Sequence, residues 1–470
     1  MNKILSISLL LLFFWVCDIS AQQVLTLEQA RQLALSQNED LRIAAKQHEH
    51  ARQQRAAART LWLPSFSASG TGVYQDRDID MEMILPTKVP DPVTGELKPN
   101  VVINPNTGFP VFGADGLPLF NVYAWLPLNI SLSGAYLLEA TVEQPLFTGG
   151  KILTGNRMAS IGVEMASENI LLQRMNTIAH TDEAYWTFIS VTQQVKLAGQ
   201  AVEMLEEVVE LARNSAEVGM TSQNDLLRAQ VEYNKAKLNL QKARNGLELS
   251  RMNLCRITGL PFDTPIIAAD TVLNTNEPLP GNLSTINIEQ RPEYRLMEQN
   301  IRMSEQNIRM VRADYLPTAG IRAGYNHVGG IELSGEGFDN TSFNVIGSVR
   351  IPLFHWGQGM RKVNAARIEM EMQQLELEKN SKLMQLEAEQ AHLNLLLALE
   401  RIRMNESALE QAEENLRVSR DNYELGMETM SDLLMAQTHW QQAYSELIES
   451  RADYRLKETE WLKATGMLNP

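Results

Sequence analysis

Two acids stand at matching places in the chain, each three residues after a hydroxyl: Asp225 after Ser222, and Asp432 after Thr429. A hydroxyl at a helix N-cap with an acid at N3 makes a capping box. Each side chain satisfies a backbone N–H, and the carboxylate also meets the positive end of the helix dipole. Just upstream of each pair is a glycine between apolar residues: Gly219 between Val218 and Met220, and Gly426 between Leu425 and Met427. Glycine accepts the left-handed conformation that ends a helix, so both stretches read as tight helix–helix turns with methionine at the tip. Glu428 and Met435 belong to the second stretch. Elsewhere the chemistry is thin. His48 and His50 are the only close pair among seven histidines, and two positions apart on a helix they point to different faces, a poor metal site. There is no Gly-rich phosphate loop and no nucleophile–histidine–acid set, so no enzyme and no cofactor are expected. Cys17 and Cys255 are the only cysteines, which excludes a disulfide framework and a cysteine-rich zinc or iron–sulfur site.

The chain has 470 residues with 42 Lys and Arg against 57 Asp and Glu, a formal net charge of −15. No basic surface compensates phosphates, which argues against a nucleic-acid partner. At 44% hydrophobic and 21% charged, the composition suits a globular or coiled-coil protein. The N-terminus carries Lys3, an apolar run to Val16, and then Cys17-Asp-Ile-Ser-Ala21. This reads as a secretory signal peptide over residues 1–21, cleaved after Ala21. Lipidation of Cys17 is the competing reading, against which the bulky Val16 stands. Cleavage leaves Cys255 as the one thiol. No second apolar run of about 20 residues follows, so any membrane crossing must use strands.

An internal duplication organises the rest. Val218-Gly-Met-Thr-Ser-Gln-Asn-Asp-Leu-Leu-Arg-Ala-Gln230 returns as Leu425-Gly-Met-Glu-Thr-Met-Ser-Asp-Leu-Leu-Met-Ala-Gln437, 207 residues later. The same spacing relates Pro145-Leu-Phe147 to Pro352-Leu-Phe354 and Gly259 to Gly466. Leu63-Pro64 and Leu316-Pro317 are 253 apart, so the first half holds 46 extra residues between Pro64 and Pro145. The expected organisation is a first unit over 22–258, a Pro-rich linker over 259–285, and a second unit over 286–470.

Each unit reads helix, strand, loop, strand, very long helix, tight turn, return helix. Helices are expected over 26–61 and 286–315. Phe66, Ala68, Gly70, Gly72 and Tyr74 alternate with Ser65, Ser67, Ser69 and Thr71; Tyr136, Leu138, Ala140 and Val142 alternate with polar residues. The second unit repeats this with Ala319, Ile321, Ala323, Tyr325 and with Phe343, Val345, Gly347, Val349, Ile351. Four strands of about 9–11 residues, apolar on one face, fit a lipid-facing barrel with a wet interior; two soluble hairpins with one buried face fit equally. The insertion over 76–127, with eight prolines, reads as an irregular loop on the outer side. Residues 152–217 and 359–424 contain no proline, and 66 helical residues span roughly 100 Å. The return helices carry a heptad of Leu226, Tyr233, Leu240, Leu247, Leu254 and of Leu433, Trp440, Leu447, Tyr454, Trp461. Small residues follow three positions on, the pattern of a coiled coil.

Four strands cannot close a barrel, and an open edge cannot face lipid, so several chains are needed. Two chains give a barrel filled by its own side chains, whereas three could leave a pore. At this point the pattern resembles the TolC family of outer-membrane efflux proteins. The matching residues are Leu25-Thr-Leu-Glu-Gln-Ala30, the Leu-Pro before each first strand, Gln144-Pro-Leu-Phe-Thr-Gly-Gly150, the two glycine turns, and Ala464-Thr-Gly-Met-Leu468. The resemblance implies an α+β fold: a homotrimeric 12-stranded outer-membrane barrel continuous with a periplasmic α-helical coiled-coil barrel. It also implies a passive exit duct for a tripartite efflux or type I secretion system, with a periplasmic adaptor and an inner-membrane pump as partners. On that resemblance Gly219, Met220, Gly426 and Met427 become adaptor-contact tips, and Asp432, with Met435 and Glu428, becomes the pore constriction. The family has a further acid where this chain has Met435, so an apolar ring replaces part of the charge. Asp225 stays a cap. A rival from another class is an exported coiled-coil structural or adhesion protein.

Overall fold

The computed structural model describes residues 23–270 and 287–468, apart from 133, 218 and 220. The expected leader with Cys17, most of the linker, and Met220 lie outside the described residues. Among the described residues, no helix is long and apolar enough to cross a membrane.

Two compact units form. The helical unit comprises the described residues within Met1–Ala56, Asn156–Ile308 and Asn364–Pro470. It opens with β1 (Gln23–Leu25), then α1 (Leu27–Gln37), whose N-cap Thr26 makes a capping box with Gln29. In place of one helix over 26–61 the chain makes two, the second being α2 (Glu39–Thr60). Asn38 explains the break, because its Oδ1 accepts from the backbone N–H of Asp40 at 2.9 Å and of Leu41 at 3.3 Å. It thus starts a new helix where the first ends.

Two helices of 67 residues, α3 (Lys151–Glu217) and α6 (Gln358–Glu424), run as the absence of proline implies. The return helices are α4 (Gln223–Thr258) and α7 (Met430–Ala464). A 3-10 turn (Ile288–Gln290) precedes α5 (Pro292–Ala313). Within the expected linker over 259–285, Ile266–Ala268 form β8, which pairs in parallel with β1. Tyr185 locks that pairing, since its hydroxyl donates to Leu25 O at 3.0 Å and lies 2.6 Å from Asp270 Oδ2. Burial first, and then the Asp270 carboxylate, push this phenol above its ordinary value.

The helical unit buries three apolar clusters along its helices. One gathers Ala30, Ala34, Tyr185, Phe188, Ile189 and Leu254; another lies at the turns, with Leu433, Trp440 and Tyr423. The third holds Leu395, Tyr454 and Trp461. Asp182 sits fully buried among them. Its two oxygens accept from Arg31 Nε at 2.7 Å and Nη2 at 2.6 Å, and Thr459 Oγ1 donates at 2.7 Å. A buried carboxylate persists only when paired and bonded in this way.

The strand unit, Ala57–Gly155 and Arg309–Val363, holds β2 (Ser65–Val73), β7 (Ala135–Phe147), β9 (Thr318–Leu333) and β10 (Glu336–Arg350) as neighbours in that order, all antiparallel. They have 9, 13, 16 and 15 residues, so three exceed the expected 9–11. For β9 and β10 the cause is the tight Ser334–Gly335 turn, with φ of 51° and 86°, which lets them pair to their tips.

The insertion also differs from the irregular loop expected. It forms β3 (Ile79–Pro86) paired with β6 (Tyr123–Ser131), and a small hairpin of β4 (Lys88–Pro90) and β5 (Leu97–Pro99). Pro86, Pro90 and Pro99 end their strands, and Pro127 lies in the part of β6 that pairs with β3 alone, so proline density did not exclude pairing. At the opposite end of β7, Gly149 must be glycine: a Cβ there would stand 2.6 Å from Ala313 O.

Candidate functional site

The register sorts the side chains of the four-stranded sheet. Phe66 faces Val142, Val142 faces Ala323, and Ala323 faces Val345; Ala140 faces Tyr325, which faces Phe343. Directly opposed residues share a face, so these seven and their alternates make one apolar surface. It is uncovered, with Phe343 69% exposed. The other face is polar. Ser67 and Thr141 hydroxyls lie 2.7 Å apart, and Arg322 pairs with Glu139 at 2.5 Å and Glu143 at 3.5 Å. Among the described residues nothing pairs with the outer edge of β2 or of β10, and all nine residues of β2 are exposed. An apolar face and two unpaired edges are incompatible with a sheet that works alone in water.

At the far reach of the helices, both turns form as the sequence implies. Gly219 has φ +76° and Gly426 +73°. Ser222 and Asp225 form a full capping box, as do Thr429 and Asp432. Asp432 Oδ2 accepts from Thr429 N at 3.1 Å and from Thr429 Oγ1 at 2.6 Å. Those bonds, the hydroxyl first, hold its carboxyl below the ordinary carboxylate range. The local settings differ. Asp432 is exposed, whereas Asp225 is half-buried, and its charge helps burial to raise the Tyr423 phenol.

Met427, beside Gly426, is 67% exposed, and Met435 on α7 is 57% exposed. Met435 lines an open groove of about 810 Å³ between α4 and α7, together with Arg228, Glu232, Lys235 and His439. Glu428 is half-buried; Asn422 Nδ2 donates to its Oε1 at 3.1 Å within the same turn. Asp432, Met435 and Glu428 therefore occupy one end of one hairpin, with only Met435 on the groove. Arg420 of α6 reaches Glu207 of α3 at 3.0 Å, tying the two hairpins near their tips.

Tyr423 and the Arg31–Asp182–Thr459 set were not singled out from sequence. Asp182 carried only a weak signal, as one of two acids, with Glu183, just before the apolar run Ala184-Tyr185-Trp186. Tyr423 carried none, because a tyrosine on a coiled-coil helix is ordinary packing. Among the described residues no group of three His, Cys, Asp or Glu is placed to hold a metal.

A family model described as outer membrane efflux protein matches residues 30–260 and 284–467. No curated protein matches the chain. The Campylobacter jejuni CmeC outer membrane channel is similar in structure, with a TM-score of 0.67 at 17% identity, over 94% of this chain and 85% of that one. The open state of the Neisseria gonorrhoeae MtrE outer membrane channel gives 0.66 at 18%, over 94% and 88%. The Vibrio cholerae outer membrane protein VceC gives 0.66 at 14%, over 94% and 96%. At these identities the likeness is one of fold.

Proposed function

We infer the working arrangement from one premise: the chain belongs to the outer membrane efflux protein family. It is an outer-membrane channel that reaches into the periplasm and serves as the exit of an efflux route. The rod or adhesion reading has no support in that family. The finer reading is our proposal: three chains, each giving four strands, close a 12-stranded barrel, and their helices continue as a periplasmic tunnel. The halves 22–258 and 286–470, joined by 259–285, are two copies of one unit. The duct is passive; an inner-membrane pump supplies energy and a periplasmic adaptor joins the two. Gly219, Gly426 and Met427 sit where the adaptor meets the tips, with Met220 carried along by its place in the sequence. Asp432, Met435 and Glu428 form the narrowest ring, one set from each chain.

The observation that carries this reading is the sheet with two unpaired edges and one uncovered apolar face. A barrel completed by other copies removes both edges and turns that face to lipid. The test is extraction from membranes followed by current recording. A duct needs detergent to leave the membrane and then conducts ions across a planar bilayer. Release by salt or chelator alone would overturn the reading.

A further inference from the structure

The apolar side of the sheet changes at its rim. Below the rim, Tyr136, His327 and Thr341 lie on the apolar face, and His327 Nδ1 is 2.9 Å from Thr341 Oγ1. At Gly329–Gly330, β9 carries one extra residue opposite Asp339, with Gly330 at φ +72°. A Cβ on Gly329 would meet both Tyr136 Oη and Asp339 Oδ1, so Asp339 also belongs to that face. Such a bulge places two residues opposite one and resets which residues of the bulged strand face which way. Beyond it, Phe338 opposes Ile331 and Glu336 opposes Leu333. Phe338 is next to Asp339, so Phe338, Ile331 and Leu333 lie on the other face, that of Ser67, Arg322 and Glu139.

The inserted hairpin continues this reversed face. Ile130 of β6 pairs with Leu333, and Ile79 of β3 pairs with Ile130; Met81 pairs with Leu128. Alternation along β3 then puts Ile79, Met81, Met83 and Leu85 on the lumen-side face and Asp80 and Glu82 on the outward one. All four apolar residues are exposed, Met81 by 46%. This patch lies on the polar side of the barrel sheet, with Asp80 and Glu82 at the alternate positions of β3, followed by Ile84 opposite Trp125.

We propose that the β3–β6 hairpins of three copies pack their Ile79, Met81 and Met83 faces together across the barrel axis, forming an apolar closure at the outer mouth. The occupant of each patch is the same patch on a second copy of this chain. The inference rests on the three-chain reading. Its support is continuity: the hairpin is hydrogen-bonded to β9, inside the sheet that the other copies complete. Charge agrees, because Asp80 and Glu82 point away from the axis, so bringing the apolar faces together does not force like charges into contact.

The test is oxidative cross-linking of the full-length protein in its membrane, in a Cys255→Ala background, with the particle mass measured on the same preparation. Met81→Cys and Met83→Cys should give abundant chain-to-chain disulfides, and Glu82→Cys, one residue away on the other face, several-fold less. Particles of three chains with no link from either methionine position overturn the closure and leave the trimer standing, with a transported substrate or an outside partner as the occupant. Equal linking from Glu82→Cys overturns the face assignment. A monomer removes the three-chain reading and the closure with it.

Discussion

The return helices α4 and α7 carry the same heptad and bury it differently. On α7 Leu433, Trp440, Leu447, Tyr454 and Trp461 are all buried, Leu433 to 2% exposure. On α4 Leu226, Tyr233, Leu240 and Leu247 remain half-open to solvent, and only Leu254 is fully covered. The turns before them repeat the contrast: Met430 is buried, while Gln223 at the equivalent place is exposed. A seven-residue period fixes which stripe a helix offers, not what covers it. Within one chain α7 is already covered by its neighbours, whereas α4 keeps a stripe to offer. A half-covered stripe is what a contact with another copy would complete.

The largest effect should separate the two stripes. Leu433→Ala opens a cavity in closed packing and should cost about 2–5 kcal/mol, while Leu226→Ala, starting half-exposed, should cost clearly less. Chemical denaturation of the detergent-solubilised protein checks this; equal losses would mean that α4 is as fully covered in the assembly as α7. Next come the turn glycines, whose positive φ penalises any side chain. Gly219→Ala and Gly426→Ala should each lose about 1–2 kcal/mol of local stability, seen as faster amide exchange in the adjoining turns. Because the two φ values nearly coincide, a marked inequality would have to come from contacts in the assembly. Ser222→Ala and Thr429→Ala remove the caps and should each cost about 1 kcal/mol, by the same exchange measurement.

The smallest stability change and the sharpest functional distinction belong to the acids. The Asp432 carboxyl is held below its ordinary value. Its contribution to the helix start is therefore in place above the ordinary carboxylate range and lost as pH falls through the lowered value. Asp432→Asn should abolish that acid-side dependence. If three Asp432 carboxylates narrow the tunnel, the same change should also weaken cation preference and block by multivalent cations, while Asp225→Asn leaves both unchanged. Asp225→Asn has its own readout: the Tyr423 phenol should titrate lower than before, yet still above an ordinary tyrosine, because burial is the larger cause.

How much of this was legible in the residues follows from how local each signal is. The long helices, their turns and both capping boxes depend on neighbours within a few positions, and they stand within a residue or two of where the sequence puts them. The break at Asn38 was missed because a helical period runs through it; only the Asn38 side chain's bonds to Asp40 and Leu41 expose it. Strand faces were readable from alternation, but strand lengths were not, since the Ser334–Gly335 turn sets how far β9 and β10 pair. The ladder inside the insertion was hidden by its prolines. Asp225 and Asp432 are locally alike in sequence, and what distinguishes them, Tyr423 against open solvent, comes from the packing of distant helices.

The claim on which the rest depends is that the four-stranded sheet is a third of a barrel. Mass measurement of the detergent-solubilised particle, counting chains directly, tests it without relying on conductance or on any substitution. Three chains per particle, with no stable monomer, is the expected result. A stable monomer or dimer would contradict it, because the edges of β2 and β10 would then have to be satisfied some other way.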